Sequence, residues 1–541
     1  MHRLPACALV CASVVLTACF EEQPLVPEVG SLAAVIASPP SDPTPSTITL
    51  AKIGEFQGGG PAAAEITAFD AVSKRLFVVN GALGTVDVLD LSVPSLPTPI
   101  GQISVAGLGA AANSVAANGG VVAVAIEAFS RTQPGTVAFY RATTLDLIST
   151  VTVGALPDML LFSEKGRTLL VANEGEPDAS YTDDPEGSIS INDVTNVNRP
   201  SVRTAGFAAF NGQADALRAS GVRIFGPNAS VAQDMEPEYV ALSADERTAY
   251  VTLQENNAFA IVDVASAQVT RIVPLGFKNH SLTGNGIDAS DRDTAINIRT
   301  WPVFGMYMPD AVAFYEVGGR TYLVTANEGD AREYLGTPGF VEEARVGSLP
   351  LDTAFFSAAL CGGTCSGNSR LGRLNVTRTL GLNPVSGKYE ALYAFGARSF
   401  SIWDDAGRLV WDSGDELEQR TKALSMVNFN PSHSNNTLED RSDNKGPEPE
   451  GVVIGQIVFF SPSGKAIAEA PPMPALAADP VEELTRRNRE RGVAPDWRSG
   501  MPEWKRDGDV PWEIEAAAVE ALGTGGARAD AAGEVGSTEA A

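Results

Sequence analysis

Histidine is almost missing from this chain of 541 residues, which has only His2, His280 and His433. Hydrolysis by a serine–histidine pair is therefore poorly supported, and no Gly-x-Ser-x-Gly elbow opens the regions around His280 or His433. Basic residues are also in short supply: 39 Lys and Arg stand against 66 Asp and Glu, a formal net charge of −27. Without clustered Lys and Arg nothing offsets a phosphodiester backbone, so nucleic acid is excluded as a partner. The acidic surplus suits an extracytoplasmic soluble surface or a protein that collects cations. Long apolar runs are absent after the first twenty residues. Helical periodicity is absent before the end of the chain except across "QADALRASGVRIF".

Cysteine is sparse too, with five residues. The opening "MHRLPACALVCASVVLTACF" has a short basic start and an apolar run too brief to span a bilayer, which reads as a secretion signal over residues 1–19. It ends in Leu16-Thr17-Ala18-Cys19, which resembles a bacterial lipobox and makes Cys19 the expected lipidated N-terminus; an ordinary signal cleaved nearby is the alternative. Several acyl chains together would hold the protein at a membrane. Phe20 in place of Asp points to the outer membrane, on its periplasmic side or the cell surface. Residues 20–47 are rich in Pro and Ser and read as a flexible tether. Once Cys7 and Cys11 leave with the signal, Cys361 and Cys365 in "LCGGTCSG" remain. In an oxidising compartment they are expected to form a disulfide that pins a local turn.

What the chain does contain is short alternating runs of Val, Ile, Phe and Tyr between Gly, Asp, Asn and Ser, the signature of strands and turns. Some of these runs repeat. "PDMLLFSEKGRTLLVANEGE" begins at Pro157, "PEYVALSADERTAYVTLQEN" at Pro237 and "PDAVAFYEVGGRTYLVTANEGD" at Pro309. A weaker copy starts at Ala64, and a strand set without the opening motif follows near residue 118. "YEALYAFGARSFSIWDDAGRLVWDSGD" reads as a sixth copy, and "GPEPEGVVIGQ", with Pro449-Glu450, as the start of a seventh. The expected fold is all-β: a β-propeller of seven blades, WD40/YVTN-like, over residues 48–457. Two separate β-sandwiches are the rival arrangement.

The stretches "MPDAVAFYEVGGRTYLVTANEGDAREY", "EEARVG", "LYAFGARSFSIWD", "SDNKGPEPEGV" and "DRDTAINIRTWPVFGMYMPD" resemble the choice-of-anchor I family, over roughly residues 48–457. The resemblance implies an extracytoplasmic bacterial propeller held to cells by an anchor, and some members carry the label alkaline phosphatase. After "GPEPEGV" the family continues with further strands. Residues 458–541 here are instead rich in Ala, Glu, Pro and Arg, and read as an irregular or partly helical low-complexity tail, native or produced by a frame shift near residue 457.

Four copies set an acidic residue after proline at the start of the first strand, Asp158, Glu238, Asp310 and Glu450, with Glu65 after Ala64 a weaker member. Three copies also end the second strand in an amide and a glutamate, at Glu174, Glu255 and Glu328. Converging carboxylates repel one another and so take up protons or bind cations. All-oxygen ligands favour Ca²⁺ first, with Mg²⁺ or Mn²⁺ as alternatives. The same residue types also serve repeated turns and need hold nothing. A second acidic group, Asp288, Asp291 and Asp293, lies in an inserted loop and departs from the EF-hand pattern.

Two functions follow. The first is a lipid-anchored, monomeric, non-catalytic propeller that binds a divalent cation and presents loops to a ligand or protein partner. The second is a metal-dependent phosphoesterase, alkaline-phosphatase-like, with Arg332 or Arg398 meeting the phosphate. For either arginine the simpler reading is a pair with neighbouring carboxylates.

Overall fold

A computed structural model describes residues 52–58, 63–424, 429–432 and 437–454, and the backbone of two further strands, Val458–Phe460 and Ala466–Glu469. The signal over residues 1–19 with its lipobox Cys19, the tether at 20–47 and the remainder of the tail lie outside the described residues.

Four antiparallel meanders follow one another in chain order. The first comprises β1 (Ala64–Asp70), β2 (Arg75–Asn80), β3 (Thr85–Asp90) and β4 (Thr98–Ile103). The second comprises β5 (Ala112–Asn118), β6 (Val121–Ile126), β7 (Pro134–Arg141) and β8 (Leu147–Ala155). The third runs through β9 (Pro157–Phe162), β10 (Thr168–Asn173), β11 (Ser188–Asp193) and β12 (Ser201–Gly206). The fourth has β13 (Pro237–Leu242), β14 (Thr248–Leu253), β15 (Ala258–Asp263) and β16 (Gln268–Pro274). The turns between first and second strands explain the repeated polar segment before Arg-Thr. Ser163 Oγ accepts from Thr168 N and Ser243 Oγ from Thr248 N, while Gly166 and Glu246 occupy the left-handed position each turn requires.

Strand period decides how the sheets pack. In β6, Val122, Val124 and Ile126 face the first sheet with Phe77, Val79, Val86 and Val88. The alternate residues Ala123 and Ala125 face the third sheet with Leu160, Leu169 and Val171. Each large buried aliphatic contributes roughly 1.5–3 kcal/mol. The sheets thus stack face to face, with hydrophobic layers between neighbours.

Beyond β16 the order changes. After β17 (Phe277–Asn279) and β18 (Phe304–Met306), strands β19 (Val312–Val317) and β20 (Arg320–Asn327) begin a fifth four-stranded sheet. It is completed only by Ser399–Asp404 and Leu409–Asp412, with Asn327 paired to Ser399. The intervening residues supply most of a separate five-stranded sheet, in which β18 runs parallel to Tyr393–Ala394. Its core holds Trp301, Val346 and Leu374, with Cys361 and Cys365 joined as the expected disulfide.

The seven-bladed propeller is therefore corrected. The described residues form five four-stranded meanders, a mixed five-stranded sheet and short two-stranded ribbons, and no sheet closes on itself. The fifth and sixth copies in the text are the two halves of one sheet, parted by an insertion. Residues 447–454, the expected seventh start, form no strand. Among the described residues no hydrophobic cluster joins the first sheet to the fifth. The outer face of the fifth sheet packs on Leu417 of the helix Glu416–Leu424 and on Val452. The expected helix in "QADALRASGVRIF" spans Ala214–Ser220, whereas the tail expected to be irregular or helical contains an antiparallel pair, Val458–Phe460 with Ala466–Glu469. No helix among the described residues is long and apolar enough to cross a membrane.

Candidate functional site

Asp158, Glu238 and Asp310 each follow a proline at the head of a first strand. Bulges there, at Ala172/Asn173 opposite β9 and at Pro237/Val240 in β13, re-aim the side chains. Leu156, Met308 and Glu448, two residues before Asp158, Asp310 and Glu450, have φ of 47°, 44° and 44°. A non-glycine residue in this region stores about 1–3 kcal/mol, and the surrounding chain must hold it there. Part of that hold is the ends of the second strands: Glu174 N donates to Leu156 O at 2.9 Å and Gly329 N to Met308 O at 3.1 Å. Gly329 is required, since its φ is +86° and a Cβ would fall 2.1 Å from Gly396 N.

These connections bring carboxylates from three sheets into one field. Burial, then Glu176, Glu65 and Glu450, push Asp158 up to about 7. Burial, then Glu174, Asp158, Glu255 and Asp310, raise Glu238 well above the usual carboxylate range. Glu174 rises through burial and through Glu176, Asp158 and Glu255. Asp310 rises through burial, Glu328, Glu450 and Asp158. No hydrogen bond offsets these effects at any of the four. Burial raises Glu255 to about 7 against the pull of Arg332, and its Oε2 is buried without a donor. Glu255 is buried, and the other four are half-buried.

Two further members of the expected set differ. Glu328 is tied to Lys445 Nζ at 2.9 Å and accepts from Gln254 Nε2 at 3.1 Å, so it is already neutralised. Glu450 is exposed and acts on the group from its edge. Glu176, which the repeat pattern did not single out, belongs with the cluster and faces Arg131 and Tyr334.

The two candidate arginines are committed to partners of their own. Arg332 is buried, binds Asp234 and Glu236, donates to Asp234 O at 2.8 Å and lies over the Phe225 ring. Arg398 donates to Asp288 O, Glu418, Ser442 O and Asn444 O at 2.6–2.9 Å. Both are structural ion pairs. The paired Asp234 and Glu236 come from the insertion before Pro237, and the only textual signal was the acidic "QDMEPE".

The recurring asparagines have a structural purpose that the text half-discloses. Asn173 Nδ2 donates to Ser188 Oγ and Ser190 Oγ, and Asn327 Nδ2 to Ser399 Oγ and Ser401 Oγ. In both sheets the end of the second strand is thus pinned to a Ser-x-Ser on the third, visible as "SISIND" and "SFSIWD".

A second acidic group also differs from expectation. Asp288, Asp293 and Glu439 have carboxylate oxygens within 4.8 Å of one another and could coordinate a divalent cation. Asp291 is not part of it, being paired with Arg373 at 2.9 Å and Arg292 at 3.0 Å. Glu439, far away in sequence, takes its place. Two cavities, of about 290 and 460 Å³, are lined by the first strands but do not reach either carboxylate group.

No curated protein matches the sequence. Among solved structures the chain is similar to Pseudomonas aeruginosa periplasmic gluconolactonase PpgL at 16% identity, over 49% of this chain and 63% of that one, with a TM-score of 0.31. It is similar to Kuenenia stuttgartiensis hydrazine synthase at 10% identity, over 49% and 80%, with a TM-score of 0.27. A nidogen/laminin complex gives 11% identity over 48% and 74%, with a TM-score of 0.26. At such scores these likenesses carry no argument about this chain. The model of the choice-of-anchor I domain matches residues 65–458, and the chain therefore belongs to that family of extracytoplasmic bacterial proteins.

Proposed function

We propose that this chain is a metal-dependent phosphoesterase whose centre is the group Asp158, Glu174, Glu238, Glu255 and Asp310. The observation that carries the reading is the uncompensated charge: four carboxylates with no hydrogen-bond donor, held together by a strained backbone. A divalent cation would relieve that repulsion, and oxygen ligands alone favour Ca²⁺, with Mg²⁺ or Mn²⁺ as substitutes. Held there, an ion would supply polarisation of a phosphoryl oxygen and a more acidic water. Arg332 and Arg398 are given no role, since both are buried in ion pairs.

The non-catalytic propeller that binds a partner through its loops is set aside, because the ring of blades on which it depended is not formed. Lipidation at Cys19, an outer-membrane address and a monomeric state remain part of the proposal. Purified protein should hydrolyse p-nitrophenyl phosphate with Ca²⁺, Mg²⁺ or Mn²⁺ and lose turnover with EDTA and in Glu238→Gln. No turnover with any of the three ions overturns the reading.

A further inference from the structure

We propose that Asp288, Asp293 and Glu439 form a separate structural Ca²⁺ site that clamps the inserted loop 286–300 to the segment 437–446. The three carboxylates arrive from two stretches of chain that no strand ladder joins. Their oxygens lie within 4.8 Å of one another. Two oxygens on one Ca²⁺, each about 2.3–2.6 Å from the ion, are at most about 5 Å apart, so every pair of the three is within the span of one ion and a small side-chain adjustment seats all three.

The loop is already folded for this task. Asp288 Oδ2 accepts from Asn297 N at 3.2 Å, and Asn297 Nδ2 donates to Asp293 Oδ2 at 3.0 Å, which draws the two aspartates to the same side. Asp288 is fully buried and Glu439 is 6% exposed, yet Glu439 Oε1 has no donor outside the trio. A buried carboxylate oxygen without a partner is costly unless a cation supplies one.

Nearby basic side chains are committed elsewhere. Arg398 holds Glu418, Lys422 donates to Ile296 O at 3.1 Å, and Arg292 and Arg373 hold Asp291. Three carboxylates thus stand together without a bonded cation, in a chain whose excess of acid over base is already large. Partial burial, the mixed loop origin and the all-oxygen set favour Ca²⁺ over the smaller Mg²⁺, which demands near-octahedral order. A site with only three protein carboxylates belongs with extracellular modules, whose dissociation constants are about 10⁻⁴–10⁻³ M.

The clamp would act where the fold most needs it. Glu418 Oε2 accepts from Asp288 N at 2.8 Å, and the same helix covers the outer face of the fifth sheet through Leu417. Loop, helix and C-terminal segment are then fixed as one unit by the ion.

The test uses the full chain carrying Glu238→Gln, so that the proposed catalytic centre is silenced and its failure is separable. Calcium titration by calorimetry should show one remaining site, and hydrogen exchange of residues 286–300 and 437–446 should slow on addition of Ca²⁺. Adding Asp293→Asn or Glu439→Gln should weaken the remaining site at least tenfold and abolish the slowing. Asp293 is half-buried, so its variant should fold even where that of Glu439 does not. Calcium binding and exchange unchanged by Asp293→Asn, or no binding at 5 mM Ca²⁺, overturns the proposal.

Discussion

Replacing His280 by glutamine should flatten part of the acid limb of the stability curve. His280 is 1% exposed, its Nδ1–H donates to Asn285 O at 2.7 Å, and its bare Nε2 is buried without a partner. Burial, with the charge of Lys278 nearby, lowers its pKa from 6.5 to about 3. The folded protein therefore holds a neutral ring over a range in which the unfolded chain takes up a proton. Stability from this residue is complete above pH 6.5 and falls as the pH drops toward 3. The loss is about 0.8 kcal/mol at pH 6 and about 2 kcal/mol at pH 5, worked from that shift. Glutamine can keep the donor to Asn285 O but does not titrate. Urea unfolding of both proteins at intervals from pH 8 to pH 5 should give free-energy differences that converge by about 2 kcal/mol toward the acid end. Parallel curves would show that the ring is not held neutral and would refute the reasoning. The neighbouring acids do not confuse the comparison, since carboxylates raised by burial stabilise toward acid in both proteins alike.

Two further outcomes are expected. Arg332→Met leaves Asp234 and Glu236 buried without their cation and should lower the unfolding free energy by about 3–5 kcal/mol, read by chemical denaturation; intact stability with lost turnover would instead mark the arginine as catalytic. Asn327→Ala should cost about 1–3 kcal/mol by removing both serine contacts, and the same change at Asn173 should cost a similar amount. A shift below a few tenths in either would deny the pinning.

Local signals in the text carried well into the structure. Prolines followed by acids mark the heads of β9 and β13, and polar turns with Gly166 or Glu246 mark the first reversals. The strand set expected near residue 118 is the second meander, in which "VVAVAI" forms β6. What depended on pairing at a distance was not legible. Nothing in "SFSIWD" says that it completes the sheet begun by β19 and β20, so one sheet was counted as two. The same blindness concealed Glu439 beside Asp288, and substituted Asp291, its neighbour in the text but not in space. Arg332 and Arg398 do form the ion pairs that were their simpler reading, but the partners come from other insertions and could not be named from the text. Composition told of excess acid, but only geometry shows which acids lack a counter-ion.

The split fifth sheet sets a timetable for the nascent protein. The earlier meanders can each close as soon as their last hairpin clears the ribosome, whereas the edge of β20 must wait for Ser399. At about 5–20 residues per second, roughly 70 intervening residues leave that hydrogen-bonding edge bare for about 4–14 s. A bare edge is a template for joining another chain. Secretion before folding, or a chaperone that shields the edge during export, would meet that hazard better than spontaneous folding at the point of synthesis.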